Sequence, residues 1–312
     1  MNKYSPEGTL IHTPKNYEYI STLEGLKRAM EKQVILEAPA LLCDHNLNLH
    51  IELPARVRAI IPKNEVQYSS HGDPIKDIAI LTRVGKPICF KVIGLESSGC
   101  GETNVILSRR AAQIECTSNY IETLEAGDII PSRITHLESF GAFVDIGCGI
   151  VSLLSIDSIS VSRISHPGAR LNVGDELYTV VKGLDDRGRV YVSARELLGS
   201  WEENASMFSE GETVRGIVRS VESYGIFIEL KPNLAGLAEY RDGVFAGQSA
   251  AVYIKSIIPE KMKIKLIIID SRDCDQSPAP LEYFIDPRKI THIDSWQYSP
   301  PSCKRVIESV FV

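Results

Sequence analysis

The chain has 312 residues, with 34 Lys and Arg against 40 Asp and Glu and a formal net charge of −6. That length suits two or three ordinary domains, and the acidic balance excludes a protein that coats duplex DNA by bulk charge, because such affinity is built from many Lys and Arg contacts to phosphate. No run of about 18 apolar residues predicts a membrane span, the opening MNKYSPEGTLIHTPKNYEYI lacks the basic-then-apolar layout of a secretory leader, and seven scattered cysteines without a C-x-x-C pair point to a reducing, cytoplasmic setting with no metal site and no cofactor.

Residues 1–33 form an N-terminal segment whose stretch TLEGLKRAMEKQ (22–33) predicts a helix. Leu23, Leu26 and Met30 share a face, and Thr22 is placed to cap the start. From Val34 the pattern changes to short β segments: VILEAPALLC, NLNLHIELP, ARVRAIIP, ICFKVIGL and NVILS. They make one β unit over 34–115, interrupted by a polar loop from Tyr68 to Asp77 and a Gly/Ser-rich turn from Ser97 to Gly101.

Two further units, 125–198 and 211–270, repeat one another. One reads GDIIPSRITHLESFGAFVDIGCGIVSLL and the other GETVRGIVRSVESYGIFIELKPNLAGLAE, with Gly127 and Gly211 84 residues apart. That spacing is too long for a solenoid repeat and suits a small barrel plus a linker. In and just before the linker, 199–210, Leu197, Leu198, Trp201 and Ala205 recur at helical spacing, so a short helix packing between the barrels is expected. Such a link holds two faces in a fixed relation where a Gly/Ser tether does not. The extension 271–312 is broken by prolines, and its last stretch, CKRVIESVF, reads as either a helix or a strand.

Side chains alternate faces along a strand. In Phe140-Gly141-Ala142-Phe143-Val144-Asp145-Ile146, Ala142, Val144 and Ile146 suit a core, while Phe143 and Asp145 face solvent and Phe140 precedes the strand. The later unit repeats this with Ile226, Ile228 and Leu230 inward, Phe227 and Glu229 outward, and Tyr224 in front. Two aromatics three residues apart on a wet face are platforms for unstacked bases. Gly141 and Gly225 between them allow tight curvature and leave space for a ligand. The competing reading packs the rings under a loop or against the linker helix. Lys261, Lys263 and Lys265 alternate with apolar residues and are expected on one strand face, where they would meet phosphate.

These motifs resemble the S-one RNA-binding domain, the repeat of bacterial ribosomal small-subunit protein one. The shared pattern includes (F/Y)-G-x-F-(V/I)-(D/E), a later G-L, and D-x-x-G-R-(V/I)-x-(V/L)-S; it covers 127–270 well and 34–115 weakly. The resemblance implies a mainly β protein of tandem five-stranded OB-fold barrels, joined by a short helical linker and preceded by a helical N-terminal segment. It implies an RNA face made of two aromatics, a His, an Asp and a basic residue. Phe140, Phe143, Asp185 and Arg189 match in the second barrel, with Ser155 standing at the His position and His166 nearby. Tyr224, Phe227 and Lys263 match in the third, with Glu239 at the His position and Ile258 at the Asp position. The first unit has no aromatic pair in its second strand, Asn46–Glu52, and the resemblance implies docking to the small ribosomal subunit there instead.

The function these features favour is non-catalytic binding of single-stranded RNA or mRNA in translation. No phosphate-loop, nucleophile-elbow or zincin motif supports an enzyme. The alternative is a protein-interaction scaffold, on the ribosome or an RNA-processing complex, with weak RNA affinity.

Overall fold

The computed structural model describes residues 3–69, 74–97, 103–185, 188–273 and 278–311. The chain divides into two compact units, Met1–Leu124 with Asp145–Val151, and Glu125–Val144 with Ser152–Val312. Most of the turn expected at 97–101 and part of the polar loop, 70–73, lie outside the described residues, as do Cys100 and Cys274.

The first unit opens with α1 (Pro14–Ile20) and α2 (Leu23–Glu31). The side chain of Thr22 accepts from the Gly25 amide and so caps α2 as its position suggests, while Thr13 does the same for α1, a helix the periodicity had not revealed. Five strands follow: β1 (Leu36–Cys43), β2 (Leu49–Ile51), β3 (Arg58–Ile61), β4 (Pro87–Ser97) and β5 (Thr103–Ser108), with α3 (Asp77–Leu81) between β3 and β4. They close into a barrel of order β1-β2-β3-β5-β4, in which only the β3–β5 pair is parallel. Leu26 of α2 plugs a core that includes Leu36, Leu49, Ile61, Phe90 and Leu107.

After β5, α4 (Arg109–Asn119) begins with a fully buried arginine. Its Nε and one terminal nitrogen donate to the two Glu7 carboxylate oxygens at 2.7 and 3.0 Å, and it also donates to the carbonyls of Val66 and Gly149. Gly149 (φ +74°) is required here, since a Cβ would lie 1.8 Å from that guanidinium. Asp145, expected to face solvent, is buried: it accepts from the amides of Glu7, Gly147 and Gly149. Burial, then the Glu7 carboxylate, pushes it up to about 7. Burial alone would raise Glu7 too, but the Arg109 guanidinium holds it below the usual carboxylate range.

Among the described residues two more barrels follow, with the strand order of the first. The second barrel has β6 (Ile129–Glu138), β7 (Gly141–Asp145), β8 (Val151–Ser155), α5 (Ile156–Ile159), β9 (Glu176–Leu184) and β10 (Val190–Ser193). A linker of one 3-10 turn (Arg195–Leu198) and α6 (Trp201–Ala205) leads to the third: β11 (Thr213–Glu222), β12 (Gly225–Lys231), β13 (Leu234–Ala238), β14 (Ser249–Ile258) and β15 (Lys263–Arg272). In each, the third and fifth strands pair in parallel. This is the mainly β fold of tandem five-stranded OB-type barrels that the motifs implied.

Within the second unit the two barrels are fixed to one another. Leu197, Leu198, Trp201 and Ala205 are all buried, and a Ser200/Glu203 capping box starts α6. Asn233, in the β12–β13 turn and fully buried, accepts from the Val161 amide and donates to the carbonyls of Arg195 and Gly199. Glu229, the second carboxylate expected in solvent, is instead buried between Arg170 of the second barrel (2.6 Å) and Arg219 of β11, which grips both its oxygens at 2.9 Å. The alternation of faces was right, but the outer side of this strand end is covered by a neighbouring element. Asp145 sits at the same repeat position, two residues after the second aromatic. The repeated acid therefore serves packing in both places.

The C-terminal extension straps the second unit. Tyr178 donates its amide to the Tyr283 hydroxyl, Phe284 to the Leu197 carbonyl, Ile129 to Thr291 and Ile293 to Gly127. His292 meets Asp128 at 2.8 Å. The chain then forms a hairpin, β16 (Ser295–Gln297) with β17 (Glu308–Val310), so the strand alternative holds for the end of the chain.

Candidate nucleic-acid interface

Each repeat places its first aromatic in the turn ahead of the second strand and its second aromatic three residues on. Phe140 is 53 % exposed and Tyr224 is 68 % exposed, whereas Phe143 and Phe227 are half-buried. The rings pair edge to face with nearly the same geometry: 6.0 Å and 88° for Phe140–Phe143, 6.1 Å and 84° for Tyr224–Phe227. Neither pair lies in a core. The glycines between them serve close packing rather than ligand space, because a Cβ would meet the Leu154 carbonyl oxygen at 2.5 Å on Gly141 and the Ala238 carbonyl oxygen at 2.6 Å on Gly225.

In the second barrel the aromatic face continues on β6. His136 stacks on Phe143, with centroids 6.4 Å apart and planes 18° apart, and its Nε2 meets Glu138 at 2.8 Å. His136 lies on β6, ahead of the aromatic strand, whereas the family pattern carries its His after that strand. The detectable signal was cross-strand pairing: Ser220, at the matching position of β11, faces Phe227. Ser155 sits at the N-cap of α5 and donates to the Ser158 hydroxyl, which Lys182 also approaches. His166 accepts from the Gly168 amide and caps a 3-10 turn, so its role is local. Arg189 is exposed but tied to Asp185: its amide donates to Oδ1 at 2.8 Å, and Nε and a terminal nitrogen reach Oδ2 at 2.8 and 2.7 Å. That hydrogen bond and charge raise the Arg189 pKa. Residues 186–187 of this turn lie outside the described residues.

The third barrel presents its cations differently. Lys261, expected on the strand, ends a 3-10 turn (Pro259–Lys261), and left-handed Met262 leads into β15 at Lys263. Register places Phe227, Leu237 and Lys265 in one cross-strand row, so Lys263 and Lys265 share the face of Phe227. Lys261, Lys263 and Lys265 are exposed and have no carboxylate partner among the described residues. A cleft of about 950 Å³ runs beside Tyr224 and Phe227, with Lys261 and Lys263 in its wall. Glu239, at the family's His position, is exposed and is not part of that wall.

The arrangement supplies π-faces flanked by hydrogen-bonding and cationic groups, the combination that holds single-stranded nucleic acid with little sequence discrimination. Among the described residues no group of three or more His, Cys, Asp or Glu is placed to hold a metal ion, and no helix is long and apolar enough to cross a membrane.

Residues 123–195 match the family model described as the S1 RNA binding domain. Over 95 % of its length the chain is 30 % identical to the small ribosomal subunit protein bS1 of Mycobacterium tuberculosis (strain CDC 1551 / Oshkosh), covering 61 % of that protein. It is also 30 % identical over 71 % of its length to the bS1 of Coxiella burnetii (strain RSA 493 / Nine Mile phase I), covering 41 % of it. A crystallised multidomain protein with nucleic acid binding domains from Streptococcus pneumoniae TIGR4 aligns over 76 % of this chain and 73 % of its own at 14 % identity, with a TM-score of 0.25.

Proposed function

We propose that this chain, whose residues 123–195 match the S1 RNA binding domain model, binds single-stranded RNA, such as mRNA, in translation without catalysing a reaction. One observation carries the reading: the same edge-to-face ring pair, its leading ring exposed and its second half-buried, occurs at matching positions of two barrels held in fixed relation. Successive bases stack on Phe140 and Phe143 and on Tyr224 and Phe227. Phosphates meet Lys261, Lys263 and Lys265 in the third barrel. In the second, Arg189 contributes through a pair already half-neutralised by Asp185, with Ser155 at the edge of the face. The site is cytoplasmic and needs no cofactor.

The curated bS1 relatives are longer, and the chain spans 61 % of the first of them. Attachment to the small ribosomal subunit through the first barrel is a further part of the proposal. Among the described residues that barrel has no ring pair, and it exposes Leu41 and Leu42 on β1 and Ile78 and Leu81 on α3. The same exposed side chains favour the second reading, a protein-interaction scaffold with weak RNA affinity.

The test is binding of a labelled single-stranded RNA at two salt concentrations. Affinity that falls with salt, and is lost when Phe140, Phe143, Tyr224 and Phe227 are all changed to Ala, supports the RNA reading. Unchanged affinity in that folded variant refutes it and leaves the scaffold.

A further inference from the structure

The cleft beside Tyr224 and Phe227 has a second wall that no barrel strand supplies. Residues 298–307, the loop of the β16–β17 hairpin, stand there, and Ser302, Cys303, Lys304 and Arg305 line it. The loop is built and anchored. Tyr298 donates its amide to the Ile307 carbonyl, Ile307 donates to the Ser299 hydroxyl, and Cys303 donates to the Pro300 carbonyl. The Tyr298 ring is buried in the third barrel's apolar cluster with Trp201. Its hydroxyl donates to the Asn233 carbonyl at 2.5 Å, and its carbonyl accepts from the Trp201 amide at 2.9 Å.

This anchorage places two further cations in the cleft that Lys261 and Lys263 line. Lys304 and Arg305 are exposed and, like Lys261 and Lys263, lack a carboxylate partner among the described residues. The one acid among the residues lining the cleft is Glu260. Four cations and a single carboxylate thus line the same cleft as Tyr224 and Phe227, in a chain whose net charge is −6. A concave site with one sign of charge concentrates its field inward. Cations and aromatic rings lining one cleft suit a strand with a phosphodiester backbone and splayed bases.

Resting on the RNA reading above, we propose that the C-terminal hairpin is a structural part of the third barrel's RNA site, with Lys304 and Arg305 gripping the phosphates of a strand whose bases stack on Tyr224 and Phe227. The third barrel then binds RNA in a two-walled groove, and the extension acts as a clamp as well as a strap.

The experiment uses the full chain carrying Phe140→Ala and Phe143→Ala, so that the third barrel is read alone, with fluorescein-labelled 12-nucleotide oligo-U as probe at 50 and 200 mM salt. Lys304→Ala with Arg305→Ala should weaken binding roughly tenfold or more at about 0.1 M salt and make the salt slope shallower by about 1.4, two phosphate contacts at about 0.7 each. Arg288→Ala with Lys289→Ala removes the same charge from the extension away from the cleft and should leave both unchanged. Bound oligo-U should also slow alkylation of Cys303, followed by peptide mass spectrometry. If the Lys304/Arg305 variant behaves like the control while Tyr224→Ala with Phe227→Ala abolishes binding, the hairpin inference is overturned and the barrel reading stands. If the Tyr224/Phe227 variant binds as before, the barrel reading itself fails.

Discussion

The second and third barrels share their strand order and ring pair but differ in what surrounds the rings. Around Phe143 the second barrel has a stacked His136, and its basic residue Arg189 is spent on Asp185. Around Phe227 the third barrel has lysines with no carboxylate partner among the described residues and a flanking hairpin with two more cations. At corresponding positions Tyr191 of β10 faces Leu153, and Lys265 of β15 faces Leu237. One fold therefore offers two balances of the same forces. On the proposed RNA reading, stacking is expected to dominate where charge is neutralised, and phosphate attraction where it is free.

The largest effect should come from breaking the buried ionic contact between the two barrels. Glu229→Ala leaves Arg170 and Arg219 without their buried carboxylate and should cost about 3–5 kcal/mol of stability by urea denaturation. A loss below about 1 kcal/mol would mean that water or rearrangement compensates the arginines. Next, Phe143→Ala should weaken single-stranded RNA binding by about 1–3 kcal/mol with little change in salt slope. A slope that falls as much as the affinity would contradict the division between the barrels.

The charge side of the comparison can be sharpened with two substitutions. Lys263→Ala should lower the salt slope by about 0.7, and Arg189→Ala by less, because Asp185 already screens that guanidinium. Asp185→Asn should raise the slope by releasing Arg189. Equal slopes for all three variants would show that pairing in the free protein does not govern phosphate contact.

The smallest effect concerns how the extension is held on each barrel. On the second, Asp128 hydrogen-bonds His292 and raises its pKa, so the stabilising contact is fully present below the ordinary value of about 6.5 and is lost as pH rises through the elevated one. On the third, burial pushes the Tyr298 hydroxyl up, away from that range. Amide exchange at Ile129 and Ile293 should therefore quicken as pH rises above about 6.5, beyond the intrinsic base-catalysed increase. The Tyr298 amide should show no such excess, and His292→Gln should remove it at the other two. The same excess at all three amides would mean that the extension opens as one piece.

Much of this was legible in order of residues alone. Two-residue alternation and Gly, Pro and Asp punctuation located the strands, the repeat exposed the paired rings, and Leu197, Leu198, Trp201 and Ala205 marked the linker. These signals are local, because a strand's faces and a helix's stripe follow from backbone geometry over a few residues. Tertiary structure decided what covers each face. Asp145 and Glu229 alternate outward as expected, yet neighbouring elements bury them, and Lys261 leaves the lysine row because the chain turns at Met262. The hairpin that brings Lys304 and Arg305 beside Tyr224, some eighty residues earlier, depends on Tyr298 meeting Asn233. No periodicity records such long-range encounters, since they are settled by packing and hydrogen-bond satisfaction among segments distant along the chain.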